Sequence, residues 1–131
     1  MLIGGKARVI ASGSTANQSR LKAWDVAVRE AARDTIGEVD APPFVRTALV
    51  FTVLFRLARP AGHWGRRGLL PSAPRHPIGK PDGDKLARQA ADSLACIVFD
   101  DDARIVSWRI DKVYAAPGHE GASFEIEEAF G

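Results

Sequence analysis

The sequence has little that could crosslink the chain or anchor it in a membrane. It contains one cysteine in 131 residues, which excludes an internal disulfide and a cysteine-based metal cluster. Its apolar runs are far shorter than the roughly 20 residues of a membrane-spanning helix, and its N-terminus lacks a secretory signal pattern. We therefore expect a cytoplasmic protein without a membrane segment, and we expect Cys96 to be buried near the end of a helix.

Acidic residues are distributed very unevenly along the chain. Residues 1–81 carry 13 Lys/Arg against 5 Asp/Glu, whereas residues 82–131 carry 5 against 11. Residues 59–80 contain no acid at all. A basic stretch beside an acidic cluster is typical of a protein that holds a polyanion on one surface and cuts it at another. The alternative is that the basic stretch is an ordinary solvated loop.

Hydrophobic periodicity predicts a single α+β domain over residues 1–131. A mixed β-sheet should carry two main helices on one face, and a hydrophobic content of 46% is enough to fill one core. Ser19 is a plausible cap for the first helix, and Gly37 should end it. The predicted strands cover 6–12, 45–58, 104–114 and 122–128, and the predicted helices cover 19–36 and 83–97.

The segment at about 60–81 should form a long basic loop. It contains five prolines and four glycines, which disfavour any regular element. An aromatic side chain among cations suits distorted or single-stranded nucleic acid, although Trp64 could instead cover an edge of the sheet. We expect the loop to be poorly ordered without DNA and to contact phosphates when DNA binds. Its candidate DNA contacts are Trp64, Arg66, Arg67, Arg75 and Lys80.

Two groups of aspartates flank the second predicted helix and suggest a metal site. Asp82 and Asp84 stand where the helical pattern begins, and the run 100–102 of three aspartates follows its end. We expect the two groups to face each other, and carboxylates held that close favour a bound cation. Ligand sets made only of oxygen point to a hard ion such as Mg²⁺. The alternatives are an ordinary helix cap at Asp82 and an exposed acidic turn at 100–102.

Polar residues continue along the same helix. Asp84, Arg88 and Asp92 share one flank at helical spacing. Arg88, one turn after Asp84, supplies a cation that can hold a carboxylate or meet a phosphate.

The order of these residues resembles the RusA family of Holliday junction resolvases. The resemblance consists of D-G-D-K-L-x-R-x-x-x-D-x-L over 82–94, D-D-A-R-I-V over 101–106, and then Lys112. It covers roughly residues 80–114, with a looser likeness in the basic first strand, Lys6 and Arg8. Two positions depart from the family pattern, because Arg88 stands where a lysine is usual and Lys85 where an asparagine is usual.

The resemblance implies a structure-specific endodeoxyribonuclease that resolves four-way junctions. It implies Mg²⁺ as cofactor, with Mn²⁺ as a substitute, paired symmetric nicks, and a homodimer that binds branched DNA. Asp82, Asp84 and Asp102 correspond to the metal-binding aspartates, with Asp101 beside them, and Arg88 to a catalytic cation; whether Asp101 or Asp102 is the main ligand stays open. The remaining candidate DNA contacts are Lys6, Arg8, Lys85 and Lys112.

Two alternative functions fit the same sequence. One is a branched-DNA-binding protein whose catalytic centre is weakened or lost. The other is a metal-dependent nuclease for a different nucleic-acid structure, such as a flap or RNA. Cleavage of junction, duplex and single-stranded substrates with and without Mg²⁺ separates these alternatives from a junction resolvase.

Overall fold

A computed structural model describes residues 5–13, 21–37 and 39–129. The elements follow the predicted order, with a small hairpin added inside the long loop. The two helices are α1 (Leu21–Ile36) and α2 (Gly83–Leu94). The strands are β1 (Lys6–Ser12), β2 (Leu49–Leu57), β3 (Trp64–Gly65), β4 (Gly68–Leu69), β5 (Ile105–Tyr114) and β6 (Gly121–Glu128).

The main sheet is mixed, as the sequence predicts. Its strand order is β1-β6-β2-β5, with β2 and β5 parallel and the other neighbours antiparallel. Alternate side chains are buried along β1 and β2, which is the period of a sheet covered on one face. Both helices cover that face: α1 packs against β1, α2 against β5, and the helices pack against each other. Phe51, Phe55 and Phe124 form its aromatic centre.

The second strand begins later than predicted. The prediction starts it at residue 45, whereas β2 begins at Leu49. Phe44 instead makes an isolated bridge with Phe99, and Arg46 has a φ of 51°. A left-handed backbone interrupts an extended strand, so the strong β-formers before Leu49 cannot extend it. Ser19, the predicted cap of the first helix, lies outside the described residues.

The second helix ends earlier than predicted, and the expected burial of Cys96 is wrong. The chain leaves α2 after Leu94 and turns, so that Val98 and Phe99 become buried. Cys96 lies in this turn with a φ of 69°, its N–H donates to the carbonyl of Phe99 at 2.7 Å, and its side chain is exposed. Burial of Val98 and Phe99 decides where the helix ends. The helical spacing of the sequence does not predict this end.

The long loop contains a regular element, contrary to prediction. Strands β3 and β4 pair as a short antiparallel hairpin, and Gly68 supplies the positive φ of 109° that its turn requires. Arg59 fastens the loop to the sheet, because its guanidinium lies 4.3 Å from the Tyr114 ring and its Nη1 donates to the carbonyl of Pro74 at 2.7 Å. Poor order of the loop in the absence of DNA stays a prediction.

Neither helix in the described part of the chain has the length and apolar character that crossing a membrane requires.

Candidate active site

The first acidic corner, Asp82 and Asp84, lies at the start of α2. Asp82 occupies the cap position with an extended backbone, but its side chain makes no capping hydrogen bond. Its carboxylate is paired with the Lys85 ammonium at 3.4 Å. Asp84 lies in the first helical turn and is exposed. Both side chains are exposed, so the structure leaves them accessible to a cation.

Strand β5 packs against this corner. Gly83, between the two aspartates, packs so closely that an added Cβ would lie 3.3 Å from Cγ2 of Ile110. Two residues further along β5, the Lys112 ammonium donates to the carbonyls of Gly79 at 2.6 Å and Pro81 at 3.0 Å. The backbone that leads into the corner is therefore attached to the sheet.

Two of the three adjacent aspartates have structural partners. Asp100 accepts from Arg104 Nη2 at 3.0 Å and from the N–H of Arg46 at 3.3 Å. The hydrogen bond from Arg104 is the main reason why the pKa of Asp100 is lowered. Asp101 caps the short 3₁₀ turn Asp102–Arg104, since its Oδ1 accepts from the N–H of Ala103 at 2.9 Å. Asp100 therefore serves the fold, and Asp101 is partly occupied by capping.

Asp102 has only acids as its electrostatic partners in the described part of the chain. Burial is the largest cause that raises its pKa, and the neighbouring carboxyls of Asp101 and Asp92 raise it further. Like charges held together in this way favour a shared proton or a bound cation. Asp92 was not among the predicted site residues. The signal that could have found it is its place on the same helical flank as Asp84 and Arg88.

The structure places the two acidic corners at opposite ends of α2. Gly83 contacts β5 at Ile110, whereas Asp102 precedes the start of β5 and interacts with Asp92. Asp92 follows Asp84 by eight positions, a rise of about 12 Å along a helix. Accordingly, no three His, Cys, Asp or Glu side chains among the residues described are arranged to hold a metal ion. The expected face-to-face arrangement does not occur within one chain.

The chemistry of the acids nevertheless fits a hard cation. Both corners offer carboxylate oxygens, which Mg²⁺ prefers. The pKa of Asp102 is raised first by burial and then by the carboxyls of Asp101 and Asp92, and a cation relieves the repulsion among these three acids. Asp84 and Arg88 form no ion pair with any residue from the described ranges, and both are exposed. One flank of α2 thus presents an acid, a cation and a second acid toward solvent.

Seven of the nine predicted DNA contacts fall on two separate surfaces, whereas Lys85 pairs with Asp82 on α2 and Lys112 donates to the backbone before Asp82. Arg66 and Arg67 form the exposed turn of the β3–β4 hairpin, Trp64 is 40% exposed at its base, and Arg75 and Lys80 are exposed further along the loop. The other surface is the face of the main sheet that carries no helix.

Lys6 and Arg8 lie on that helix-free face. Lys6 pairs with Glu125 of β6 at 3.3 Å, and Arg8 stands opposite Glu125 in the strand register. These two cations are therefore partly neutralised by an acid of the neighbouring strand, whereas the hairpin cations have no acid nearby in sequence.

A hydrogen bond between the two helices lies next to Asp92. Ser93 Oγ, in a nearly fully buried side chain, donates to Asp25 Oδ1 at 2.5 Å, and Arg29 pairs with the same carboxylate at 3.1 Å. A cavity of about 180 Å³ adjoins this contact, and Asp92 is among its lining residues. The contact ties α1 to the part of α2 that lies beside Asp102.

Replacing Ser93 by alanine is expected to destabilise the fold by about 1 kcal/mol near neutral pH, because the Asp25 side chain is 42% exposed and water screens its charge. The bond from Ser93 is the main reason why the pKa of Asp25 is lowered below its ordinary value of 3.8. Stability from this bond is therefore present above that value and is lost as the pH falls through the lower pKa of the folded state. Urea unfolding of both proteins against pH measures the difference, and a gap that does not narrow in acid would contradict the role of the Asp25 charge.

Comparison with known proteins places these residues in a family. The model of the family described as Endodeoxyribonuclease RusA matches residues 5–120. No curated protein sequence matches the chain. The matched range contains both acidic corners, Arg88 between them and the basic hairpin. Because the match covers most of the chain, this chain belongs to the RusA family of endodeoxyribonucleases.

Proposed function

We propose that this endonuclease resolves four-way DNA junctions by paired symmetric nicks, with Mg²⁺ as its cofactor and Mn²⁺ as a substitute. The observation that carries the proposal is the match of residues 5–120, which contain Asp82, Asp84 and Asp102, to an endodeoxyribonuclease family. The surroundings of Asp102 support it, because this carboxyl is half-buried beside Asp101 and Asp92, and burial and the two acids raise its pKa. Carboxyls in such surroundings commonly occur at functional sites.

Asp82, Asp84 and Asp102 are proposed to hold the ion. When bound, Mg²⁺ supplies an activated water for in-line attack on the scissile phosphorus and neutralises charge on the phosphoryl oxygens. Asp102 is the better ligand of its pair, because one carboxyl oxygen of Asp101 already accepts the N–H of Ala103. Asp101 and Asp92 lie beside Asp102 and surround it with negative charge.

The proposed homodimer brings together carboxylates that a single chain keeps apart. Within one chain, α2 separates Asp102 from Asp82 and Asp84. A two-fold dimer contains two copies of each corner, and each copy faces the partner in the same way. We therefore include in the proposal that Asp102 of one subunit completes the ligand set with Asp82 and Asp84 of the other. Two such composite sites related by symmetry suit paired cuts in a symmetric junction.

Arg88 is proposed to contact the scissile phosphate or a ligand carboxylate. Arg88→Ala is expected to lower the cleavage rate by about a hundredfold, in the range reported for removing a positioned electrostatic group, and to change stability little, because alanine suits an exposed helix. Arg88→Lys should retain part of the rate. Single-turnover cleavage and thermal unfolding measure the two effects. Full activity of Arg88→Ala would reduce Arg88 to a surface residue, and Arg33→Ala on α1 serves as the control for loss of one exposed cation.

A junction-binding protein with a weakened catalytic centre is the second candidate. The observation in its favour is the ion pair between Lys85 and Asp82 at 3.4 Å, since Lys85 stands where the family usually has asparagine. Both side chains are largely exposed, and exposed ion pairs are weak, in the range of about 0–1 kcal/mol. A divalent cation can therefore displace the ammonium, which favours the active enzyme.

The deciding experiment compares cleavage of a four-way junction, linear duplex and single strand, with and without Mg²⁺. We expect metal-dependent cleavage of the junction alone. A junction extruded from a supercoiled plasmid distinguishes paired cuts, which give linear product, from single nicks, which give open circles. Tight junction binding without any cleavage would favour the weakened protein, and cleavage of flaps or RNA instead of junctions would favour a nuclease for another structure.

A further inference from the structure

Lys112 occupies an unusual place for a DNA contact. It lies opposite Phe55 in the register of β2 and β5, on the face of the sheet that the helices cover, and it is half-buried. The exposed cation of the same strand, Arg109, stands opposite Thr52 on the other face. A phosphate reaches Arg109 more readily than Lys112.

The ammonium of Lys112 is already hydrogen-bonded to the protein backbone. Its ammonium donates to the carbonyls of Gly79 and Pro81 at 2.6 and 3.0 Å, which leaves one of its three N–H groups. Hydrogen bonds from a charged donor are stronger than neutral ones. The two carbonyls belong to the residues just before Asp82, in a segment where Pro77 and Pro81 lack backbone N–H groups of their own.

We infer that Lys112 is a positioning residue for the acidic corner of α2. Its hydrogen bonds to the two carbonyls hold the segment before α2 against β5, next to the contact between Gly83 and Ile110. The direction in which Asp82 and Asp84 present their carboxylates depends on this attachment. The effect of this inference on catalysis rests on the proposed function, in which the corner holds the metal.

A second cation attaches the same loop through a backbone carbonyl. Arg59 also uses its charged donor on a backbone carbonyl, that of Pro74, while its guanidinium stacks on Tyr114. Lys112 of β5 and Arg59, two residues past β2, thus attach this loop through its backbone carbonyls. Loss of Lys112 should free only the part next to the corner, because Arg59 still holds the rest.

Lys112→Met removes the ammonium and keeps the apolar stem. In hydrogen exchange followed by mass spectrometry, peptides covering residues 79–86 are expected to exchange faster than in the wild type, without DNA or metal present. Arg109→Met is the matched control, since it removes a cation from the same strand on the opposite face and should leave this exchange unchanged. Lys112→Arg should restore part of the protection, because a guanidinium can also donate to two carbonyls.

Junction binding and metal requirement separate positioning from phosphate contact. Without metal, the dependence of log affinity on log salt should stay as in the wild type, whereas loss of a phosphate contact lowers it by about one unit. The Mn²⁺ concentration for half-maximal cleavage should rise by about tenfold, as for other residues that orient metal ligands.

Unchanged exchange at 79–86, or a salt slope reduced by about one unit, would overturn the inference. The measurements of hydrogen exchange and of the salt dependence of junction binding do not require cleavage. If the wild-type protein fails to cut junctions, the proposed function fails, and those two measurements still decide the role of Lys112.

Discussion

Replacing Asp84 or Asp102 by asparagine is expected to abolish junction cleavage and to leave junction binding intact or tighter. Asparagine keeps the size of the side chain but removes the charge that a hard cation needs. The loss should exceed about a hundredfold, because even residues that only orient metal ligands account for 10–100-fold. Binding should not suffer, since each change removes negative charge near phosphate. Cleavage and electrophoretic binding assays measure both, and Asp82→Asn should behave in the same way.

Mixing the two variants tests the composite site of the proposed dimer. A heterodimer of Asp84→Asn and Asp102→Asn subunits contains one site that lacks both carboxylates and one site with neither substitution. The mixture should therefore regain nicking while each variant alone stays inactive, and the nicks should be unpaired. A mixture of Asp84→Asn with Asp82→Asn is the control and should stay inactive. No recovery in the first mixture would mean that each chain builds its own site.

Stability provides an independent check on Asp102. Burial and neighbouring acids raise its pKa, so its ionised form opposes folding above that pKa. Asp102→Asn should therefore unfold at a slightly higher temperature than the wild type at neutral pH. Asp100→Asn should be less stable than the wild type, because it weakens the contacts to Arg104 and Arg46. Equal effects of the two substitutions would contradict the different roles assigned to these neighbours.

Removing both cations of the hairpin turn is the second change with a large expected effect. Arg66→Ala/Arg67→Ala should weaken junction binding strongly and lower the dependence of log affinity on log salt by about two units, one for each phosphate contact. Metal dependence of cleavage at saturating enzyme should not change. Binding titrations over a range of salt concentrations measure the slope, and Arg33→Ala on α1 is the control for loss of an exposed charge.

Trp64 tests stacking on the same hairpin. Its ring is 40% exposed, and Trp64→Ala should weaken binding to junctions more than to plain duplex if it stacks on unpaired bases. If the double arginine variant keeps the wild-type salt slope, the hairpin is scaffolding. The DNA surface then lies on the helix-free face of the sheet around Lys6 and Arg8.

Much of the fold was predictable because its signals are local. Alternation in 104–114 and helical spacing in 83–94 follow from burial of one face of each element, and the strands and helices occur in the predicted order. The start of β2 and the end of α2 were predicted wrongly because distant contacts decided them. The φ of 51° at Arg46 and the turn at Cys96 accompany the bridge between Phe44 and Phe99, which neighbouring residues do not reveal.

The sequence by itself determined which chemical groups are present and in what order, and this was enough to assign the family. Tertiary structure decided which of those groups are available. It paired Asp100 with Arg104, left Asp102 beside Asp92, and turned Lys112 toward the backbone before Asp82. It also set the two acidic corners at opposite ends of α2. The physical reason is that residue type fixes what a side chain can bind, whereas its partners are set by the packing of strands and helices far apart in the chain.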